Sequence, residues 1–134
     1  MRSVPTAHVD AESEHDRDSV AATHAERDPV FDDVPAGRAY TGIDEIVDNY
    51  RHLWDGFPGL VRRIDRWTFG DGARVIELTL AGTHDGPYCG IGATGRPVEL
   101  RICGHFSFDA GGRITRETAY SDARTFRRQL GLAT

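Results

Sequence analysis

The chain has 134 residues, a formal net charge of −5 and 39% hydrophobic residues, which are the proportions of one globular domain. All 16 basic residues are arginines, so Schiff-base catalysis by a lysine side chain is excluded. The acidic balance and the lack of a basic run argue against nucleic acid and anionic membranes as partners. Cys89 and Cys103 lack metal-type spacing, and no apolar stretch is long enough for a signal peptide or membrane helix. We therefore expect reduced thiols in a cytoplasmic protein.

The first part of the chain predicts two helices and a short strand. Residues 1–18 are polar and acidic and predict a mobile tail or a weak helix, whereas residues 19–134 predict a single domain. A short helix capped by Asp18 or Ser19 is expected to reach Glu26, followed by a strand over Val30–Asp33. Thr41–Asp55 predicts the main helix, because its apolar residues recur at intervals of three and four.

The second part predicts four successive strands and a closing helix. Polarity alternates along the last two of these strands, and glycine-containing segments separate all four. Helices followed by an antiparallel meander predict an α+β fold in which helices cover one face of the sheet. The predicted strands are Leu60–Phe69, Ala73–His84, Val98–Phe108 and Arg113–Tyr120, and the helix runs from about Ser121 to Leu130.

The strand Val98–Phe108 carries ionisable residues at its odd positions, so its odd face meets solvent or lines a polar cavity. A four-residue turn after Phe108 places His105 beside Glu117 on the next strand. A histidine next to a carboxylate suits proton transfer, although a purely structural polar pair is an equally good interpretation. Arg101 on the same face could bind a substrate oxygen or, more simply, pair with Glu99 or Glu77.

Other residues are candidates for contact with a ligand. Tyr50, Trp54 and Phe57 could form an aromatic wall for a flat molecule, and core packing explains them equally well. Trp67 could line the same pocket or an interface. Asp32 or its neighbour Asp33 could reach the cavity, although acidic residues near a turn are more often solvated.

The glycine-rich stretch and its surroundings resemble a known family. The residues are Gly82-Thr83-His84-Asp85-Gly86-Pro87, Gly90-Ile91, Thr94-Gly95-Arg96, the Phe106–Ile114 hairpin and Arg128-Gln129-Leu130-Gly131. Over about Val30–Gly131 the chain is similar to the SnoaL-like polyketide cyclases of the nuclear transport factor 2-like superfamily. The resemblance implies a cone-shaped α+β barrel, with a strongly curved mixed or antiparallel sheet wrapped around N-terminal helices. It also implies a homodimer formed through the outer face of the sheet.

The resemblance also assigns candidate site residues. The family histidine on the third long strand falls on His105, and a polar partner falls on Cys103. The family's catalytic aspartate falls on Ala119, and a histidine two residues earlier falls on Glu117. A methyl group cannot carry a proton, so the family mechanism cannot be transferred intact, and Glu117 with His105 is the best replacement. His84 and Asp122 match positions that we interpret as structural.

Three functions are consistent with the sequence. The first is proton transfer by His105 and Glu117 on an aromatic or polycyclic polyketide-like substrate, as in cyclisation, isomerisation or dehydration. Arg101 or Tyr120 would then donate to the enolate oxygen, although Tyr120 has the wrong strand parity. The others are a cofactor-free hydroxylase of the same family and a small-molecule binding protein without turnover. No cofactor or metal is expected, because no set of His, Asp and Glu residues has recognisable ligand spacing.

Overall fold

The computed structural model describes residues 17–134, which form six strands and three helices. The predicted tail lies outside the described residues except for its last two, Arg17 and Asp18, which begin the first helix. In chain order the elements are α1 (Arg17–Thr23), β1 (Val30–Asp33), β2 (Arg38–Thr41), α2 (Ile43–Gly56), β3 (Val61–Gly70), β4 (Ala73–Thr83), β5 (Pro97–Phe108), β6 (Ile114–Ser121) and α3 (Ala123–Gln129). The predicted α+β fold is confirmed.

All six strands form one sheet in the order β2-β1-β6-β5-β4-β3. Strands β3 to β6 are the expected antiparallel meander, since glycine-containing turns join two of the three successive pairs and the long glycine-rich loop joins the third. Strand β1 pairs with β6 in parallel and with β2 in antiparallel orientation, so the sheet is mixed. The β1–β2 hairpin therefore lies beside the last long strand.

The face of the sheet that packs against α2 is called the inner face, and the opposite face the outer face. Buried residues Ile46, Val47, Tyr50 and Trp54 of α2 lie on the side that faces the sheet. Side chains on the inner face of the sheet, such as Phe106, complete the hydrophobic core. Every buried hydrophobic residue larger than alanine in this core is at most 8% exposed. Burial of this apolar surface stabilises the fold and fixes which side chains point inward.

Two predicted boundaries were wrong, for local reasons. Helix α1 ends at Thr23 and not at Glu26, because the Thr23 hydroxyl donates to the Val20 carbonyl oxygen and His24 forms a β-bridge with Ile114. Thr41 belongs to β2 and not to the main helix. The main helix begins after Gly42, whose φ of 86° lies in the left-handed region that favours glycine. Strand β2 itself was not predicted.

Candidate functional site

His105 and Glu117 do not form the predicted pair. His105 lies opposite Thr118, whereas Glu117 lies opposite Phe106. The cause is a register shift between Ser107 and Phe108, which changes the parity of β5 relative to β6. His105 therefore lies exposed on the outer face, while Glu117 lies on the inner face and is 7% exposed.

Four other sequence candidates also lie on the outer face. Arg101 reaches Glu77 at 3.9 Å, which is the simpler of its two predicted roles. A shallow, open depression of about 470 Å³ on this face is lined by Arg101, Glu77, Cys103 and Tyr120. Asp32 forms an ion pair with Arg116 at 2.8 Å and is likewise turned away from the core. Of the two environments predicted for the odd face of β5, the structure shows the one that meets solvent, because the even positions of β5 carry its most buried side chains.

The four aromatic candidates lie on the inner side. Tyr50, Trp54 and Phe57 are at most 8% exposed, and the rings of Tyr50 and Trp54 stack with centroids 6.0 Å apart. Trp67 pairs with Ile76 and packs against the core from the end of β3. They form an apolar, aromatic environment for any polar group on the inner face.

Glu117 is the buried acid of this environment. The Tyr50 phenol donates a hydrogen bond to Oε2 of Glu117 across 3.3 Å. Gly104 lies beside this carboxylate, since a Cβ added there would stand 3.5 Å from Oε1 of Glu117 and 3.2 Å from the Phe106 ring. Glycine at this position therefore leaves room for both side chains.

A second acid, Asp33, occupies the inner face, and it is one of the two neighbouring acids that the sequence allowed to reach the cavity. Asp33 pairs with Ala119 in the parallel β1–β6 ladder, and Phe31 pairs with Glu117. Side chains of such partners share a face, so Asp33 lies beside the position where the family aspartate falls on Ala119. The signal was present in the sequence, because buried Phe31 and Asp33 are two residues apart on one strand.

Asp33 is half-buried, and burial raises the pKa of its carboxyl group above the ordinary value. The backbone N–H of Ala36 opposes this shift through a hydrogen bond, and the charge of Asp32 adds to it. A raised pKa brings a carboxyl group closer to the range in which it both accepts and donates protons near neutrality.

Two phenols are close enough to Asp33 to respond to its charge. Burial raises the pKa of Tyr40, the positive charge of Arg38 opposes this shift, and the negative charge of Asp33 adds to it. Burial also raises the pKa of Tyr88 strongly, with further contributions from Cys89 and Asp33. Both phenols thus stay protonated and can donate hydrogen bonds.

The glycine-rich loop positions Tyr88. His84 is fully buried, its Nδ1 lies 2.9 Å from the Thr94 hydroxyl oxygen, and its ring stacks on Phe57 at 5.3 Å. The Tyr88 ring contacts the other side of this cluster, with its centroid 5.5 Å from that of Phe57. These contacts support the structural interpretation of His84.

The Asp122 carboxylate accepts hydrogen bonds from the backbone N–H groups of Arg124 and Thr125 at the start of α3, which supports the structural interpretation of Asp122.

Within residues 17–134 no group of three or more His, Cys, Asp or Glu side chains is arranged to hold a metal ion. Over the same residues, no helix is long and apolar enough to cross a membrane. Two carboxyl groups, Asp33 and Glu117, lie on the inner face among aromatic rings and phenols. We call Asp33 and Glu117 the inner acid pair.

A family model described as a SnoaL-like domain matches residues 6–117. Similar solved structures include a candidate polyketide cyclase from Xanthomonas campestris pv. campestris, with 22% identity, a TM-score of 0.84 and coverage of 95% of this chain and 93% of that chain. A candidate hydroxylase from Streptomyces galilaeus, AclR, has 18% identity, a TM-score of 0.82 and coverage of 96% and 78%. An LEH-like epoxide hydrolase from M. tuberculosis has 24% identity, a TM-score of 0.74 and coverage of 95% and 86%. No curated protein matches the chain.

These similarities define a small α+β protein with the cone-shaped nuclear transport factor 2-like fold. The chain belongs to the SnoaL-like family, because the family model covers most of its length. The solved structures share the fold at low sequence identity and are named for several different activities, so the chemistry of this chain must be argued from its own residues.

Proposed function

We propose that this protein is an enzyme that moves a proton next to a carbonyl group of an aromatic or polycyclic, polyketide-like substrate. Cyclisation, isomerisation and dehydration all contain such a step. The observation that carries the proposal is the inner acid pair on the face packed against α2. Asp33 lies beside Ala119 on the neighbouring strand, and Glu117 lies two residues before Ala119 on the same strand. Membership of the SnoaL-like family, which has cyclases among its structural relatives, supports it.

The spacing of the inner acid pair suits a small substrate. Asp33 pairs with Ala119, and Glu117 precedes Ala119 by two residues, so the two acids belong to neighbouring rows of the sheet. Such rows are about 7 Å apart along a strand. The two carboxyl groups can therefore serve different atoms of one fused-ring molecule.

In the proposed reaction the Asp33 carboxylate accepts a proton from the carbon next to the substrate carbonyl. The C–H electron pair becomes the enolate, and its negative charge moves to the carbonyl oxygen. Asp33, now protonated, returns a proton to the oxygen or to another carbon, so that its carboxylate is restored at the end of the cycle. Glu117, fixed by the Tyr50 phenol, is the second proton carrier, and Tyr50, Trp54, Phe57 and Trp67 supply the aromatic surroundings.

Replacement of the buried acid tests the proposal. In D₂O the protein should catalyse exchange of the α-protons of 2-tetralone, a fused-ring ketone, as followed by ¹H NMR. We expect Glu117→Gln to slow this exchange by about 100-fold, because the amide cannot carry the proton. Glu26→Gln is the control, since Glu26 is exposed and outside the inner face. Oxygen consumption without any exchange would contradict the proposal and favour a hydroxylase, and binding without exchange would favour a non-catalytic binding protein.

We further propose that the protein forms a homodimer through its outer face. Glu77 lies between Arg66 at 3.8 Å and Arg101 at 3.9 Å, so both signs of charge alternate on one patch. A two-fold axis brings the same patch of two copies together, and a patch with alternating charges can pair with itself. Exposed apolar side chains on the same face, Val61 at 56% and Tyr120 at 51%, would be covered.

For this interface we expect a mass of two 14.8 kDa chains in size-exclusion chromatography with light scattering. Arg101→Glu should shift the protein towards monomer, because it places two like charges beside each other in the patch. Arg51→Glu on α2 should leave the mass unchanged, as Arg51 lies away from the sheet. A wild-type monomer at all concentrations would refute the outer-face dimer.

A further inference from the structure

Arg38 lies directly opposite Asp33 in the β1–β2 hairpin. Side chains of directly opposed antiparallel residues share a face, with Cβ atoms about 5 Å apart. Arg38 and Tyr40 are two residues apart on β2, and Tyr40 opposes the buried Phe31. Arg38 therefore emerges on the inner side of the sheet, beside the acid to which we assign proton transfer.

The guanidinium of Arg38 extends over a ring and not towards the carboxylate. Its central carbon lies 4.7 Å from the centroid of the Tyr40 ring. Tyr40 contacts Phe31 at 6.1 Å, and Phe31 contacts Tyr50 at 5.8 Å, so a continuous row of rings joins Arg38 to the buried Glu117 site. Within residues 17–134 Arg38 forms no ion pair, and it remains exposed to solvent.

We propose that Arg38 determines substrate specificity by binding a planar pair of negatively charged oxygens on the substrate, as in a carboxylate or the enolate of a 1,3-dicarbonyl. This inference rests on the proposed function of the inner acid pair. Guanidinium presents two parallel N–H donors that match two coplanar oxygens, which a single ammonium group does not. Stacking on Tyr40 holds the donors in place before the ligand arrives, which lowers the entropy lost on binding.

The same geometry argues against a cationic ligand. The Arg38 guanidinium already occupies the face of Tyr40 on which a ligand ammonium could form a cation–π contact, and its positive charge repels such a ligand. Arg38 also provides hydrogen-bond donors on the inner side of the sheet, beside Asp33. Arg101 and Tyr120, the donors expected from the sequence, point away from the inner acid pair. Arg38 places a cation next to Asp33, where negative charge develops on the substrate oxygen once the proton has left.

Three naphthalene derivatives that differ only in charge test the inference by isothermal titration calorimetry. The probes are 2-naphthoate, neutral 2-naphthamide and 2-naphthylmethylammonium. We expect the wild-type protein to bind 2-naphthoate about tenfold more tightly than 2-naphthamide, and the ammonium most weakly. Arg38→Gln should reduce the preference for the carboxylate to about one, and Arg38→Lys should retain only part of it, because lysine keeps the charge but loses the paired donors.

Arg51→Gln is the matched control. Arg51 is also an exposed arginine, it lies on α2, and its replacement should leave the preference unchanged. Equal binding of carboxylate and amide by the wild type, or tightest binding of the ammonium, would overturn the role of Arg38 and leave the proposed proton transfer intact. Binding of none of the three probes would overturn both, since the inner face would then not accept a fused aromatic ring.

Discussion

Replacement of Asp33 by asparagine is expected to slow α-proton exchange by 100-fold to 10,000-fold, the loss usual for a general base. Asp33 lies on the inner face beside Ala119, and its pKa is raised by burial, whereas asparagine cannot accept a proton at neutral pH. Asparagine has nearly the same shape and can still accept the hydrogen bond from the Ala36 N–H. The exchange assay with 2-tetralone measures the rate, and circular dichroism establishes that the fold is retained.

The same variant has an expected signature in stability. Burial raises the pKa of Asp33 in the folded state, so folding disfavours the charged carboxylate. The contribution of Asp33 to stability is therefore fully present below the ordinary aspartate pKa and is lost as the pH rises through the folded-state pKa. Asp33→Asn should therefore unfold no more easily than the wild type at pH 7, and any advantage should fade below the ordinary aspartate pKa of about 4. Loss of activity together with loss of stability at pH 7 would indicate a structural role instead.

Asp32→Asn is the control for this experiment, because the two acids are neighbours in the chain and lie on opposite faces. Asp32 pairs with Arg116 at 2.8 Å on the outer face. We expect the exchange rate of this variant to stay within about twofold of the wild type, because the charge of Asp32 is the smallest of the influences on the pKa of Asp33. An equal loss in both variants would show that the face of the sheet does not matter, which contradicts the assignment.

Gly86→Ala is expected to have the largest effect on folding. A Cβ at Gly86 would overlap the carbonyl oxygen of Asp55 in the last turn of α2, and this backbone cannot move away as a side chain could. The N–H groups of Asp85 and Gly86 both donate to the Gly56 carbonyl oxygen at 3.1 Å, so the loop is tied to the helix at this point. We expect a loss of about 3 kcal/mol in the free energy of unfolding, measured by urea denaturation.

Gly92→Ala provides the comparison within the same loop. An alanine Cβ there meets nothing within 4 Å, and the backbone conformation is one that alanine adopts. Its stability should therefore equal or slightly exceed that of the wild type, because alanine restricts the unfolded chain. If Gly86→Ala were as stable as Gly92→Ala, the loop would not be fixed to α2, and the position of Tyr88 near Asp33 would lose its explanation.

The long strands could be predicted from the sequence because alternation of polarity is a local signal. Strand β5 is the clearest example, and its observed bounds, Pro97–Phe108, differ from the prediction by one residue. The pairing of β5 with β6 was less accessible, since one bulge next to Phe108 moves His105 from Glu117 to Thr118. The fold was therefore predictable, whereas the face of each candidate site residue on these strands was not.

The most informative part of the site depended on a contact between distant parts of the chain. Asp33 meets Ala119 only because β1 pairs in parallel with β6, and residue spacing does not reveal such a pairing. The relation of Asp33 to Arg38 required strand β2, whose four residues were not recognised as a strand. Glu117 could be singled out from the turn after Phe108 and from the resemblance, although its partner proved to be Tyr50 and not His105.

The central claim is that substrate binds on the inner face, and intermolecular NOEs from bound 2-tetralone to methyl groups of the protein test it most directly. Thr118 and Ala119 are adjacent on β6, with the Ala119 side chain on the inner face and the Thr118 side chain on the outer face beside His105. We predict NOEs from the ligand protons to the Ala119 methyl group and none to the Thr118 methyl group. NOEs to Thr118 without NOEs to Ala119 would place the ligand on the outer face and contradict the inner acid pair as the site of reaction.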